Sequence, residues 1–232
     1  MDIKSIFEKC FSEIGGKNNK DIRWYFKRPK RVTRDSFFEQ AVWAIWVSGL
    51  RRTSAESFLK SAEKRGFTYD HRTMACLTKA DLRKFMENLH GRPIPSRARK
   101  KWEAIYQIAK WLSAFPKEKE FREAIFGGKI QTASLDETDV NNLLRIHLPF
   151  IGEANAQFII RNMGGETIKC DRWIKAFLNY SGFSIEELKK RLKRVNIPLG
   201  LFDVVLWAYC ESQVKKTKEF PKHFRYMTRT QS

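Results

Sequence analysis

Apolar residues recur three and four positions apart along nearly the whole chain, whereas apolar–polar alternation flanked by hairpin turns is missing. A strand needs that alternation to give a sheet one buried face, so the chain is predicted to be all-α. Capping residues mark the helices. The first is expected over Asp2 to Ile14, stopping at the Gly15-Gly16 pair. Ser36-Phe37-Phe38-Glu39 reads as a capping box for the second, whose apolar face is Phe38, Val42, Ile45 and Trp46 and which ends in "VSGLRR" at Gly49. Further helices are expected from Ser54 to Lys64, from Lys79 to Asn88 behind a Thr78-to-Asp81 box, from Ser96 to Ala114 and from Glu118 to Phe126. Ser134-Leu135-Asp136-Glu137 caps one that reaches His147, and the turn "LPFIG" leads into another over Glu153 to Met163. Beyond Gly164-Gly165, Asp171 heads a helix through Tyr180, Ser184 to Glu187 caps the next, and "IPLGLFDVVLWAYC" forms the last.

A chain of 232 residues has room for one large domain or two small lobes, and its 42% hydrophobic content supports a core. The formal charge of +19 and a pI near 9.9 imply a polyanionic partner, with nucleic acid favoured over an anionic membrane. No apolar run approaches the roughly 20 residues of a membrane span. The start "MDIKSIFEKC" lacks the layout of a signal peptide, so an intracellular protein is expected, in cytoplasm and nucleoid or in a nucleus. Cys10, Cys76, Cys170 and Cys210 lie far apart with no Cys-x-x-Cys or Cys/His cluster. Reduced thiols follow, with neither a zinc site nor an iron–sulfur cluster. Two basic segments stand out. In "KNNKDIRWYFKRPKR", Trp24, Tyr25 and Phe26 either line a DNA-facing surface or tie the segment to the core. The connector "HGRPIPSRARKK" either binds phosphate at a helix start or is a solvated loop.

The stretch "LPFIGEANA" carries the chemistry. A short turn that presents successive backbone N–H groups at the start of a second helix binds phosphate without regard to base sequence, and Gly152 allows close approach. Asp171 stands further on, at the head of the next helix, after "FIIRNMGGETIKC". Asp is a favoured helix cap in any protein, so its position alone has a structural explanation.

Together, the turn and the aspartate resemble the helix-hairpin-helix DNA glycosylases of the endonuclease III superfamily. Leu148, Pro149, Ile151, Gly152 and Ala156 match that hairpin, and Asp171 follows at close to the family interval. "FIIRNMGG" before Asp171-Arg172-Trp173 is most similar to the archaeal-type 8-oxoguanine branch. The resemblance implies a two-lobed fold with a central cleft. Residues 35–165 would form the central lobe with the hairpin, and residues 1–34 plus 166–232 the second lobe. It implies a monomer acting on double-stranded DNA with a damaged base. Cleavage of an N-glycosidic bond builds positive charge on the sugar, which a fixed carboxylate stabilises. Asp171 would be that carboxylate. Pro149, Ile151, Gly152, Glu153 and Ala154 would form the DNA-binding hairpin, whose carbonyls can hold a Na or K ion. No other cofactor and no side-chain metal site is implied. The turn at "VSGLRR" lies where the family has its wedge, which points to Leu50, with Arg51 and Arg52 as nearby DNA contacts. Trp43, Trp46, Trp173 and Trp207 are candidates for a base pocket, although Trp at helical spacing also serves a core.

One position departs from the family. Members with lyase activity carry a lysine two residues after the hairpin's last glycine, and this chain has Ala154 there. An alanine cannot form a Schiff base, so a monofunctional enzyme is expected that releases an oxidised or alkylated purine by hydrolysis. A bifunctional enzyme using Lys169 or Lys175 is one alternative. A non-catalytic duplex-binding module is another, and a structured-RNA binder a third.

Overall fold

The computed structural model describes residues 2–27, 32–50, 52–126, 142 and 144–217. The first half of the helix expected up to His147, Arg51 and the basic tail lie outside the described residues. All regular structure among the described residues is helical. The chain divides into two compact units, one of residues 30–163 and one of residues 1–29 and 164–232.

The larger unit is built around α2 (Arg34–Val47), which packs on α3 (Arg52–Lys64), α4 (His71–Cys76), α6 (Ser96–Ser113) and α8 (Glu153–Asn162). Phe37, Phe38, Ala41, Val42, Ala44 and Ile45 are all fully buried, so α2 is apolar on most of its circumference. The expected single face was too narrow, because the helix is enclosed by neighbours on several sides. Its start also differs from expectation. Thr33 is the N-cap, accepting from the Ser36 N–H at 3.1 Å, and Ser36 is the reciprocal third residue of the box. α5 (Lys79–His90) has the expected Thr78–Asp81 box. α7 (Glu118–Phe126) is tied to the start of α2 by Arg34, whose Nε donates to Glu118 Oε1 at 2.8 Å. The six-residue α4 was not foreseen; Asp70 caps it by accepting from the Arg72 N–H.

The second unit joins the two ends of the chain. α1 (Ile3–Glu13) packs on α11 (Leu199–Thr217) and α10 (Ile185–Arg194), and α9 (Arg172–Ser181) also packs on α11. Ile3, Ile6 and Cys10 share a core with Phe177, Leu188, Phe202, Leu206 and Cys210. Burial pushes the Cys10 thiol up to about 12 and also raises that of Cys210, so both act as small apolar groups. In the basic aromatic stretch, Tyr25 is buried and Trp24 packs on the core, whereas Phe26 is 41% exposed. No described helix is long and apolar enough to cross a membrane.

Candidate functional site

The hairpin is held from beneath. Leu148 and Ile151 are buried in the core of the larger unit, and Ala156 on the first turns of α8 is fully buried. The Leu148 N–H donates to Leu144 O at 2.9 Å, closing the helical turn at residues 144–147, and the Ile151 N–H donates to Leu148 O at 3.3 Å. Gly152 is the N-cap of α8 and offers no side-chain cap; its carbonyl accepts from Asn155 N–H at 3.0 Å and Ala156 N–H at 2.9 Å. The amides of Glu153 and Ala154 thus precede any helical acceptor and sit at the positive end of the helix dipole. That arrangement suits an anion.

Gly152 itself is informative. Its φ of −83° and ψ of 177° are extended backbone that any residue adopts, and a Cβ built there would meet nothing within 4 Å. Nothing among the described residues requires glycine at this position. A missing Cβ matters here only to something that approaches from outside. Pro149 is half-buried and Ile151 buried, so these two shape the turn, while Gly152 and Glu153 are exposed and Ala154 is partly so.

Asp171 belongs to the other unit and caps α9. Its Oδ1 accepts from Trp173 N–H at 2.8 Å and Ile174 N–H at 3.4 Å, while Oδ2 lies 3.7 Å from Lys169 Nζ. The side chain keeps 19% of its exposure. The segment leading to it is pinned to α11. Leu199 N–H donates to Glu166 Oε2 at 2.8 Å, and Lys169 N–H donates to the buried Asp203 Oδ2 at 2.9 Å. Sequence reasoning missed both anchors. Asp203 was findable, as a single carboxylate inside the apolar run "LFDVVLW". Lys175 is exposed on α9, and Arg172 reaches Glu211 at 3.2 Å.

The turn after α2 presents Leu50, which is 39% exposed, and Arg52 is exposed at the start of α3. Two cations hold this turn from behind. Lys101, 1% exposed, donates from Nζ to Trp46 O at 2.9 Å and Ser48 O at 3.0 Å, and lies over the Trp46 ring. Arg97 Nη2 also donates to Ser48 O, at 3.2 Å, and lies so close to Gly49 that a Cβ there would come within 1.9 Å of it. With φ at +68°, Gly49 is a required glycine. Burial pulls the Lys101 amine from the usual 10.5 down to about 8. Between those values the unfolded chain binds the extra proton, so stability contributed at this site rises with pH. Denaturant melts of the wild type and Lys101→Met should therefore diverge in favour of the wild type from pH 8 toward 10.5. A difference that stays flat with pH would contradict this burial.

The four candidate pocket tryptophans are spread over both units. Trp43 packs against the core of the larger unit, where Trp46 is buried against Phe58 and Trp102. Trp173 is buried in the other unit beneath the Arg172 guanidinium, and Trp207 packs against the same core partly exposed. Trp46 and Trp173 are 4% and 3% exposed, which makes both packing residues. Among the described residues, ligand-type atoms of Asp35, Asp70 and His71 lie within 4.8 Å of one another. Asp35 Oδ1 contacts His71 Nδ1 at 2.5 Å and Asp70 caps α4, so both carboxylates already have local partners.

Comparison with solved structures identifies the fold. The 8-oxoguanine glycosylase/lyase of Methanocaldococcus jannaschii, solved with a 15mer DNA containing 8-oxoguanine, matches with a TM-score of 0.51. The fold is that of the helix-hairpin-helix DNA glycosylases. The match covers 96% of this chain and 94% of that one at 17% identity, so the glycosylase fold includes both units. A second structure, of M. jannaschii 8-oxoguanine DNA glycosylase, matches with a TM-score of 0.49 and 16% identity over 94% and 90% of the two chains. No protein-family model matches the chain, and no curated protein does.

Proposed function

We propose that this chain is a DNA glycosylase that removes a damaged purine from duplex DNA by hydrolysis and does not cut the strand. The observation that carries the reading is that the two oxygens of Asp171 have different surroundings. One oxygen fixes the side chain to the start of α9, and the other stays on the Lys169 side in a partly exposed position. A carboxylate held this way is oriented before substrate arrives, which electrostatic stabilisation requires. The C1′–N bond breaks with its electron pair leaving on the base, positive charge develops on the sugar, and Asp171 stabilises it. Water then adds to C1′ and loses a proton, leaving an abasic site. The base must first leave the stack, a step for which the exposed Leu50 on its clamped turn is the wedge. Arg52 supplies a cation beside it. The hairpin amides of Glu153 and Ala154 hold a backbone phosphate.

The hairpin carbonyls also suit a monovalent cation. Among the described residues, Leu148 O and Phe150 O accept long hydrogen bonds, at 3.3 Å from Ile151 N–H and 3.4 Å from the Asn155 side-chain Nδ2, and each carbonyl has a second lone pair. Such an ion would brace the turn beside the phosphate.

Gly152→Ala tests the hairpin. The added methyl has space within the protein, and Ala in place of Gly at an N-cap costs at most about 1 kcal/mol. Duplex affinity should nevertheless fall, by roughly 10-fold if one charge-assisted hydrogen bond to phosphate is lost. Unchanged binding in a salt titration would remove the hairpin from the interface. The activity is tested with duplexes that each carry one oxidised or alkylated purine. Free base should appear while the strand stays whole until hot alkali breaks it. If every lesion survives, the chain is a duplex-binding module without catalysis.

A further inference from the structure

The hairpin contains a residue that neither the core nor the phosphate grip explains. Phe150 has φ +66°, the left-handed region that favours glycine and is an outlier for a bulky side chain. The residue is 44% exposed, and Ile146 beside it in the same surface hollow is 76% exposed. Leu148 and Ile151, on either side of the turn, are the ones that enter the core. The chain therefore holds an aromatic ring outward in a conformation that glycine would adopt without strain. Strain of this kind is kept where surrounding structure enforces it, and it concentrates at ligand clamps.

We infer that Phe150 makes an apolar contact with the sugar and base edge of the nucleotide next to the phosphate gripped at Gly152, so that the hairpin binds duplex DNA through both a phosphate and a nucleotide face. Phe150 lies two positions before Gly152, a reach of at most about 7 Å, so ring and amides meet the same stretch of one strand. Arg145 and His147 are exposed in the same hollow, and the chain's +19 charge selects a polyanion over an apolar protein partner. Minor-groove binders likewise bring apolar side chains, Phe among them, against the bases they bind. This inference rests on the proposed duplex-binding function.

The test compares the wild type with Phe150→Gly and Phe150→Asn, since both replacements tolerate a positive φ and remove the ring. Duplex affinity should drop by roughly 10-fold in both variants, within the range that aromatic–base contacts contribute. The slope of log K against log salt should remain that of the wild type, because a phenyl ring displaces no counterion. Thermal melts should show Phe150→Gly at or above the wild-type Tm, because a strained residue has been relieved. Wild-type affinity in both variants would overturn the inference, as would a salt slope lowered by about 1, the mark of a lost phosphate contact. A wild-type protein that fails to bind duplex DNA at all would instead overturn the proposed function.

Discussion

Asp171→Asn is expected to slow base release by roughly 10²- to 10⁴-fold while the protein remains folded. The two effects separate because the proposed reaction gives the carboxylate a second task beside capping α9. As an N-cap, asparagine is equivalent to aspartate, so the bonds to Trp173 N–H and Ile174 N–H survive and α9 keeps its start. As a counter-charge to the developing sugar cation, a neutral amide contributes little. Single-turnover release of free base, measured beside a thermal melt and a duplex-binding titration, should show lost chemistry with retained fold and affinity. Release at the wild-type rate would take Asp171 out of the reaction.

Ala154→Lys should add a strand-cleaving activity that the proposed hydrolytic reaction does not include. Position 154 is in the first turn of α8 and only partly buried, and lysine is almost as good a helix former as alanine, so the substitution fits locally. The new amine can attack C1′ as the base leaves, forming an imine with the opened sugar that borohydride reduces to a stable secondary amine. A trapped protein–DNA adduct is expected for Ala154→Lys and none for the wild type. Lys169 is the internal rival for the nucleophile. Its Nζ lies 3.7 Å from the Asp171 carboxylate, beside the residue proposed to stabilise the sugar cation. An adduct with the wild type that disappears in Lys169→Gln would show that this lysine takes the role of the hairpin amine.

Local signals gave the helices their places and tertiary packing decided the rest. Thr78–Asp81, Ser184 and Asp171 were readable because a cap is a contact between residues two or three apart, and the structure has each of them. At α2 the true cap lies three residues earlier than Ser36, since Thr33 and Ser36 can each begin a box and only the surrounding chain chooses. The six residues of α4 are too few for a periodic pattern to emerge. The hairpin was legible for the same local reason, as Pro, Gly and flanking apolar residues are contiguous in sequence. The supports of the candidate site were not. Lys101 reads as part of the basic run "RARKK", yet it is buried under the Leu50 turn because residues 46–48, more than 50 positions away, supply its acceptors. Trp46 looked available for stacking on a base because periodicity does not tell how many sides of a helix are covered, and α2 is covered on most of them.

The most direct test of hydrolytic base excision is the intact mass of the damaged strand after a single turnover with the wild-type protein. The expected product is a full-length strand in which the damaged base has been replaced by hydroxyl, with no fragment and no protein-linked species. A strand of unchanged mass for every oxidised or alkylated purine offered, or one found only as cleaved fragments, would contradict it.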